Sequence, residues 1–257
     1  MKRRSSFSVE IIATVVLTGI FTPAAAGTVL IAVAANFAGA AEKIAADFNL
    51  QTGNNAEITT GSTGKLYSQI TQGAPFDILL SADSKTPAQL ETEGYAVPGS
   101  VVTYAVGKLS LWSADPTLIG TDPTTALSDP LLRYLAIANP DLAPYGAASR
   151  EVLQGMGLWE TLQGKIAMGQ NIGQTFGLVQ SGAAELGFVA RSALDAPGAS
   201  VAGSRWDVPD TLFQPLRQDA ALLKHGADNA AARAFLDFLA SDAGRLTIVA
   251  FGYGVPE

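Results

Sequence analysis

The sequence predicts an α/β protein built from two lobes, and three observations support this class. From Gly27 onward, short β-branched or apolar runs alternate with stretches of helical periodicity, a pattern that favours parallel sheets covered by helices on both faces. Two adjacent apolar strands at 101–107 and 108–114 interrupt this alternation before it resumes. The chain then closes with two helical stretches that need a sheet to pack on. A first series, a second series and a returning tail indicate two lobes.

The first 26 residues precede the alternation and are typical of a secretory signal. They have a basic start, an apolar centre and small residues before the expected cleavage point, namely Lys2, Arg3 and Arg4, then Ile11 to Phe21, then Ala24 and Ala26. A membrane anchor is the competing interpretation, but the apolar centre is about half of the roughly 20 residues that a spanning helix needs. We therefore expect cleavage after Ala26 and export of a soluble protein.

The first series contains three strand-and-helix units. Its strand-like runs are TVLIAVAA at 28–35, AEITT at 56–60 and FDILLS at 76–81, and its helical stretches lie at 38–53, 64–73 and 85–94. In the first helical stretch, Ile44, Phe48 and several alanines share one face, and Gly53 is placed to end the helix. This part of the chain therefore reads as β-α-β-α-β-α.

The second series follows the two adjacent strands. Its segments are YLAIANP at 134–140, GAASREVLQGMG at 146–157, KIAMGQN at 165–171, GQTFGLVQSG at 173–182 and ELGFVA at 185–190. After a segment at 195–215 that we predict to be irregular come a strand-like run at 218–224 and helices at 229–240 and 242–250.

We place the crossings between lobes near Tyr104–Lys108 and Phe213–Gln218. These crossings predict that residues 27–106 and 216–257 form the first lobe and that residues 107–215 form the second.

The turn Gly61-Ser62-Thr63-Gly64 joins a strand to a helix. A nucleotide-binding phosphate loop needs a glycine five residues before Gly64 and a Ser or Thr after the lysine, but Thr59 and Leu66 occupy those positions. The turn instead exposes the unpaired N–H groups of the helix, and a hydroxyl beside them makes a small anion pocket. Capping of the helix by Ser62 or Thr63 is the alternative, and for a single turn taken alone it is the commoner case.

The same arrangement recurs at three other strand-to-helix turns. These turns contain Asn36, Pro144-Tyr145-Gly146 and Asn171-Ile172-Gly173. In an open α/β sheet such turns all lie at the carboxyl ends of the strands, where ligands collect. If two turns come from each lobe, they face one another across a cleft and offer free amides to an anion.

A serine hydrolase is the enzymatic alternative, because Ser62 lies at a strand–helix junction. The Gly-x-Ser-x-Gly spacing is absent, and the only histidine, His225, lies in a polar turn where an exposed loop residue is expected. Asp77 and Asp83 flank a strand, and we expect a strand-end role for the first and helix capping for the second. We therefore predict no catalytic residues.

Cysteine usage and charge exclude further classes. The absence of cysteine rules out disulfides, thiolate metal sites and a lipid-modified N-terminal cysteine, and one histidine is too few for an imidazole metal site. The formal net charge is −7, and removal of residues 1–26 takes away three basic residues and one acidic residue. Such a charge disfavours nucleic acid as a partner. It also repels anions at long range, so an anion site has to use local dipoles.

Five segments, in the same order and spacing, resemble the periplasmic molybdate-binding proteins of ABC importers. They are AVAANF, TTGSTGKLYSQI, GAPFDILLSAD, IANPDLAPYG and LGFVA, and the similarity extends over essentially the whole chain after residue 26. The resemblance implies a two-lobed type II periplasmic binding-protein fold with a ligand cleft between the lobes. It also implies a monomeric, non-enzymatic periplasmic receptor, without a cofactor, that delivers molybdate or tungstate to a transmembrane permease.

The resemblance also implies which residues hold the oxyanion. In the first lobe, Asn36 corresponds to a hydroxyl or amide ligand and Ser62 to the serine that starts the next helix. Ala35 falls where some relatives carry a threonine, so only its main chain contributes. In the second lobe, Tyr145 and Ile172 correspond to backbone donors. A receptor for sulfate, thiosulfate or another oxyanion on the same fold remains the alternative.

Overall fold

The computed structural model describes residues 26–256, so the predicted signal segment lies outside this range except for Ala26. The strands are β1 (Thr28–Ala34), β2 (Asn55–Gly61), β3 (Ile78–Leu80), β4 (Val102–Gly107), β5 (Leu109–Ser113), β6 (Leu135–Ala138), β7 (Ile166–Gly169), β8 (Leu186–Ala190), β9 (Ser204–Asp207) and β10 (Leu216–Leu222). The helices are α1 (Ala38–Thr52), α2 (Thr63–Thr71), α3 (Lys85–Thr92), α4 (Pro123–Leu127), α5 (Pro144–Gly155), α6 (Trp159–Leu162), α7 (Ile172–Gln180), α8 (Arg191–Leu194), α9 (Ala230–Ala240) and α10 (Asp242–Ala250). No helix within this range combines the length and apolar composition needed to cross a membrane.

The strands form two separate five-stranded sheets. One sheet has the order β2-β1-β3-β10-β4, and we call it lobe 1 together with the helices that pack on it. The other has the order β7-β6-β8-β5-β9 and defines lobe 2. The chain passes to lobe 2 between Gly107 and Leu109 and returns between Asp207 and Leu216. The predicted two-lobed α/β class is confirmed.

Both sheets are mixed rather than wholly parallel. Strands joined by helices are parallel, as the alternation predicts, for β1 with β2 and β3 and for β6 with β7 and β8. The exceptions are strands next to a crossing: β10 runs antiparallel to β3 and β4, and β5 runs antiparallel to β8 and β9. These strands enter their sheet directly from the other lobe, without the crossover helix that makes neighbouring strands parallel.

The segment predicted to be irregular contains β9. Its four residues pair with β5 at the edge of the lobe 2 sheet. Trp206 is the only large apolar residue in this strand, so the sequence has too short an apolar pattern to predict it. The prediction was wrong because pairing with a distant strand, rather than a local pattern, orders these residues.

Each lobe has its own core, which holds the turns at the strand ends in place. In lobe 1, Ile44 and Phe48 of α1 are buried as predicted, and Phe48 makes an edge-to-face contact with Phe235 of α9. Helix α1 ends at Gly53, whose φ of 73° is in the left-handed region that glycine adopts without strain. The C-terminal helices therefore complete lobe 1.

Candidate functional site

Four strand-to-helix turns meet in one small cavity between the lobes. The lining residues are Ala34, Ala35, Asn36, Gly61, Ser62, Thr63 and Ala82 from lobe 1, and Ala143, Pro144, Tyr145, Asn171 and Ile172 from lobe 2. The structure thus brings together all five residues that the family resemblance implies as ligand-binding residues. Among the described residues that line this cavity, none carries a charged side chain. Any anion bound here is held by neutral dipoles.

The first turn follows β1. A single 3-10 turn over Ala35–Phe37 leads from the strand into α1. The first N–H groups of such a turn, those of Ala35 and Asn36, have no acceptor within it. Both residues line the cavity, so this turn supplies two main-chain donors.

The side chain of Asn36 is used inside the protein. Its Nδ2 donates to Oε1 of Gln218 at 3.0 Å and to the hydroxyl of Tyr253 at 3.2 Å, which accounts for both amide hydrogens. Its main-chain carbonyl accepts hydrogen bonds from Tyr253 at 2.6 Å and from Ser192 at 3.0 Å. Asn36 therefore offers its main-chain N–H to the cavity, while its side chain holds the turn in place.

The second turn centres on Ser62, between β2 and α2. Ser62 has extended backbone angles and is 4% exposed, and its hydroxyl makes no hydrogen bond with any described residue. The capping alternative is therefore wrong for Ser62. Thr63 is occupied elsewhere, because its Oγ1 accepts a hydrogen bond from the N–H of Ala82 at 3.2 Å. A buried hydroxyl without a partner costs about 1–3 kcal/mol and requires an explanation, and a ligand in the cavity supplies one.

The third turn, in lobe 2, starts α5. Pro144 is the first residue of this helix and has no N–H, so Tyr145 carries the first main-chain donor. Gly146 allows the helix to approach the end of β6 closely: a Cβ atom there would lie 2.2 Å from the carbonyl oxygen of Ala138. The glycine thereby places the Tyr145 N–H at the cavity wall.

The fourth turn starts α7. The side chain of Asn171 caps this helix by accepting a hydrogen bond of 2.9 Å from the N–H of Gln174. Capping at this position leaves the N–H of Ile172, the first residue of the helix, without an acceptor inside it. The starts of α2, α5 and α7 all line the cavity, so the positive ends of three helix dipoles point toward it.

The charged residues that a catalytic or metal site would use lie elsewhere. His225 contacts Asp77 at 2.9 Å, and Asp77 also accepts hydrogen bonds from the N–H of Leu30 and from Asn229. Asp83 accepts from the N–H of Thr86 at the start of α3. These contacts are structural, and no base in residues 26–256 lies within hydrogen-bonding distance of the Ser62 hydroxyl. No group of three or more His, Asp or Glu side chains suited to a metal ion occurs in residues 26–256.

The side chains beneath the cavity could not be predicted from the sequence. Gln218, Tyr253 and Ser192 are buried and form hydrogen bonds with Asn36 or its neighbours. The sequence around Gln218 gave only a weak signal, because this residue lies between two charged residues, Arg217 and Asp219, in a strand whose other residues are apolar. Tyr253 and Ser192 had none, because nothing in their local sequence indicates that they converge on Asn36.

The chain is similar to a family of solute-binding proteins and to two molybdate-binding proteins. The profile of the family described as bacterial extracellular solute-binding protein matches residues 29–254. The molybdate-binding protein ModA of Rhodobacter capsulatus is 48% identical over 235 residues, which cover 91% of each chain. The ModA protein of Azotobacter vinelandii is 45% identical over 251 residues, 97% of this chain and 99% of that protein.

Solved structures show the same fold. The periplasmic molybdate-binding protein of Azotobacter vinelandii superimposes with a TM-score of 0.85 at 39% identity, over 89% of this chain and 100% of that one. The sulfate-binding protein SubI of Mycobacterium tuberculosis superimposes with a TM-score of 0.72 at 12% identity, over 89% of this chain and 86% of that one. The second similarity concerns the fold alone.

Proposed function

This chain belongs to the bacterial extracellular solute-binding protein family, and from that membership we propose that it is a high-affinity receptor for molybdate and tungstate. In this proposal the protein is a non-enzymatic, monomeric component of the periplasm that delivers the oxyanion to the permease of an ABC transporter. The observation that carries the proposal is an uncharged cavity at which four turns offer main-chain N–H groups around the unpartnered hydroxyl of Ser62.

The donor set suits a fully ionised, tetrahedral dianion. The proposed donors are the N–H groups of Ala35, Asn36, Tyr145 and Ile172 and the hydroxyl of Ser62. Hydrogen bonds to a charged group contribute about 1.5–3 kcal/mol each. Such a set offsets desolvation and lobe closure and leaves an affinity near the nanomolar range, about −12 kcal/mol. Hydrogen phosphate is disfavoured, because no described residue of the cavity lining carries a carboxylate to accept its remaining proton.

Ligand binding is coupled to closure in this proposal. Donors come from both lobes, so only a closed arrangement lets all of them reach one ion. We assign residues 27–106 and 216–257 to one lobe and 107–215 to the other, apart from Gly107, which ends β4 of the first lobe, and we place the hinge at the two crossings. The permease then distinguishes loaded from empty receptor by the closed shape.

Titration calorimetry with molybdate, tungstate and sulfate tests the proposal. We expect molybdate and tungstate to bind in the nanomolar range and sulfate at least about 100-fold more weakly, because a smaller ion cannot reach donors from both lobes at once. Equal affinity for sulfate and molybdate would instead favour the sulfate or thiosulfate receptor. Ester hydrolysis that depends on Ser62 and His225 would favour the hydrolase.

A further inference from the structure

Gln218 lies on β10 close to the return crossing and is fully buried. The register of β10 against β4 shifts between Gln218 and Asp219, as in a β-bulge. Bulges re-aim side chains and recur beside functional sites. A buried amide also has to satisfy its donor and acceptor groups.

The amide of Gln218 joins one turn from each lobe. Its Oε1 accepts hydrogen bonds from Nδ2 of Asn36 at 3.0 Å and from the hydroxyl of Tyr104 at 3.1 Å. Its Nε2 donates to the hydroxyl of Tyr145 at 3.2 Å. Asn36 lies in the first cavity turn of lobe 1, and Tyr145 lies in the third, which belongs to lobe 2. A single side chain therefore connects the two halves of the cavity from behind.

The adjacent crossing leaves room for this connection only because residue 107 is glycine. A Cβ atom on Gly107 would lie 2.2 Å from the hydroxyl oxygen of Tyr145 and 2.6 Å from Nε2 of Gln218. Gly107 ends β4 and pairs with Leu216, at the point where both crossings lie side by side. The Gln218–Tyr145 hydrogen bond therefore lies at the pivot between the lobes.

We propose that Gln218 is a positioning residue for the oxyanion, acting through Asn36 and Tyr145. By holding both turns at once, it sets the separation of the lobe 1 and lobe 2 donors in the closed state. A fixed separation accepts a large tetrahedral ion and leaves a smaller one short of donors on one side. This inference rests on the proposed function, since it concerns the same cavity and the same class of ligand.

Two phenylalanine substitutions test the inference as a matched pair. Tyr145→Phe removes the hydroxyl that accepts the hydrogen bond from Nε2 of Gln218 but keeps the main-chain N–H of residue 145. Tyr104→Phe removes a buried hydroxyl bound to the same amide, but that hydroxyl bridges only parts of lobe 1, since its other partner is the carbonyl of Ser81. Both variants lose a buried hydroxyl of the same kind, so loss of packing or stability alone affects them similarly.

The readouts are the dissociation constants for sodium molybdate and sodium sulfate, with the melting temperature of the ligand-free protein. We expect Tyr145→Phe to raise the molybdate Kd about fivefold to tenfold and to reduce the preference for molybdate over sulfate. Tyr104→Phe should leave both constants within about twofold. Equal behaviour of the two variants, or an unchanged preference in Tyr145→Phe, would overturn the inference. Failure of the wild-type protein to bind molybdate would instead overturn the proposed function.

Discussion

The main-chain N–H of Gly64 in lobe 1 donates a hydrogen bond of 2.9 Å to the main-chain carbonyl of Leu142 in lobe 2. The two backbones thus touch directly across the cleft, beside the cavity. Gly64 is the second residue of α2, so its N–H has no acceptor within the helix and bonds to the opposite lobe instead. The two residues before it, Ser62 and Thr63, line the cavity. The glycine that resembles part of a phosphate loop in the sequence serves lobe-to-lobe contact in the structure.

Gly64→Ala is expected to weaken ligand binding without weakening the lobes. A Cβ atom at this position lies 3.2 Å from both Cα and the carbonyl oxygen of Leu142, so it hinders the closed arrangement. In the open form the same alanine favours the helix by up to about 1 kcal/mol. Calorimetry should show a severalfold rise in the molybdate Kd, together with an unchanged or higher melting temperature of the ligand-free protein. Gly177→Ala, within α7 and with open space around it, is the control and should leave the Kd unchanged.

Ser62→Ala is expected to remove one ligand donor at no cost to stability. The lost charge-assisted hydrogen bond is worth about 1.5–3 kcal/mol, equivalent to a rise in the molybdate Kd of about tenfold to 150-fold. The ligand-free protein should melt at the same or a higher temperature, because the substitution deletes a buried hydroxyl that has no partner among the residues that the structure describes. Ser68→Ala, on the exposed face of the same helix, provides the comparison. An unaltered Kd for Ser62→Ala would place the ligand elsewhere.

Asn36→Ala is expected to differ from Ser62→Ala because it also lowers the melting temperature. It removes the amide that binds Gln218 and Tyr253 and leaves the acceptor of Gln218 with one partner fewer. Loss of such buried hydrogen bonds costs about 1–3 kcal/mol. Thermal unfolding of the two alanine variants without ligand measures the difference. Equal melting temperatures would contradict the role assigned to the Asn36 side chain.

Lys65→Gln is expected to slow ligand association. Lys65 lines a cavity that adjoins Ser62, Leu142 and Asn171, and it is the one charged side chain among the described residues of that lining. A cation there attracts a dianion that the net negative protein otherwise repels. Stopped-flow measurements should give an association rate about threefold lower at low ionic strength, a difference that disappears in high salt.

The matched control is Lys85→Gln. Lys85 lines a separate cavity that also adjoins Gly64 and Leu142, and the other charged residues of its lining are Asp83, Asp141, Glu151 and Arg217. We expect its association rate to stay unchanged. A larger effect at Lys85 than at Lys65 would show that the ion enters through the cavity that Lys85 lines.

Binding is expected to be independent of pH between about 6.5 and 9. The buried phenols around Gln218 stay protonated in this range, because burial raises the pKa of Tyr104, Tyr145 and Tyr253 above the ordinary value of 10.0. Their contribution to stability is fully present below that value and is lost as the pH rises through the folded-state pKa. Chemical denaturation at pH 8 and pH 11 should therefore show lower stability at the higher pH, and calorimetry should show a constant Kd from 6.5 to 9.

The sequence by itself determined the elements that have strong local signals. Strand-to-helix turns, the amphipathic face of α1 and its end at Gly53 follow from apolar periodicity and turn chemistry over a few residues. Five residues named from those turns and from the family resemblance line a single cavity. The antiparallel course of β10 and the presence of β9 did not follow, because strand direction and edge pairing depend on partners far along the chain.

Only the tertiary structure decided what each polar side chain does. A serine before a helix can cap it or face a ligand, and the two cases look identical in sequence. In the described residues, the Ser62 side chain does not cap α2, and its hydroxyl has no hydrogen-bond partner. An asparagine after a strand can present its amide to a ligand or use it inside the protein. The Asn36 amide donates to Gln218 and Tyr253, which lie 182 and 217 positions further along the chain. The reason is physical: local sequence sets backbone conformation, whereas the partners of a buried polar group come from whichever distant segments fold beside it.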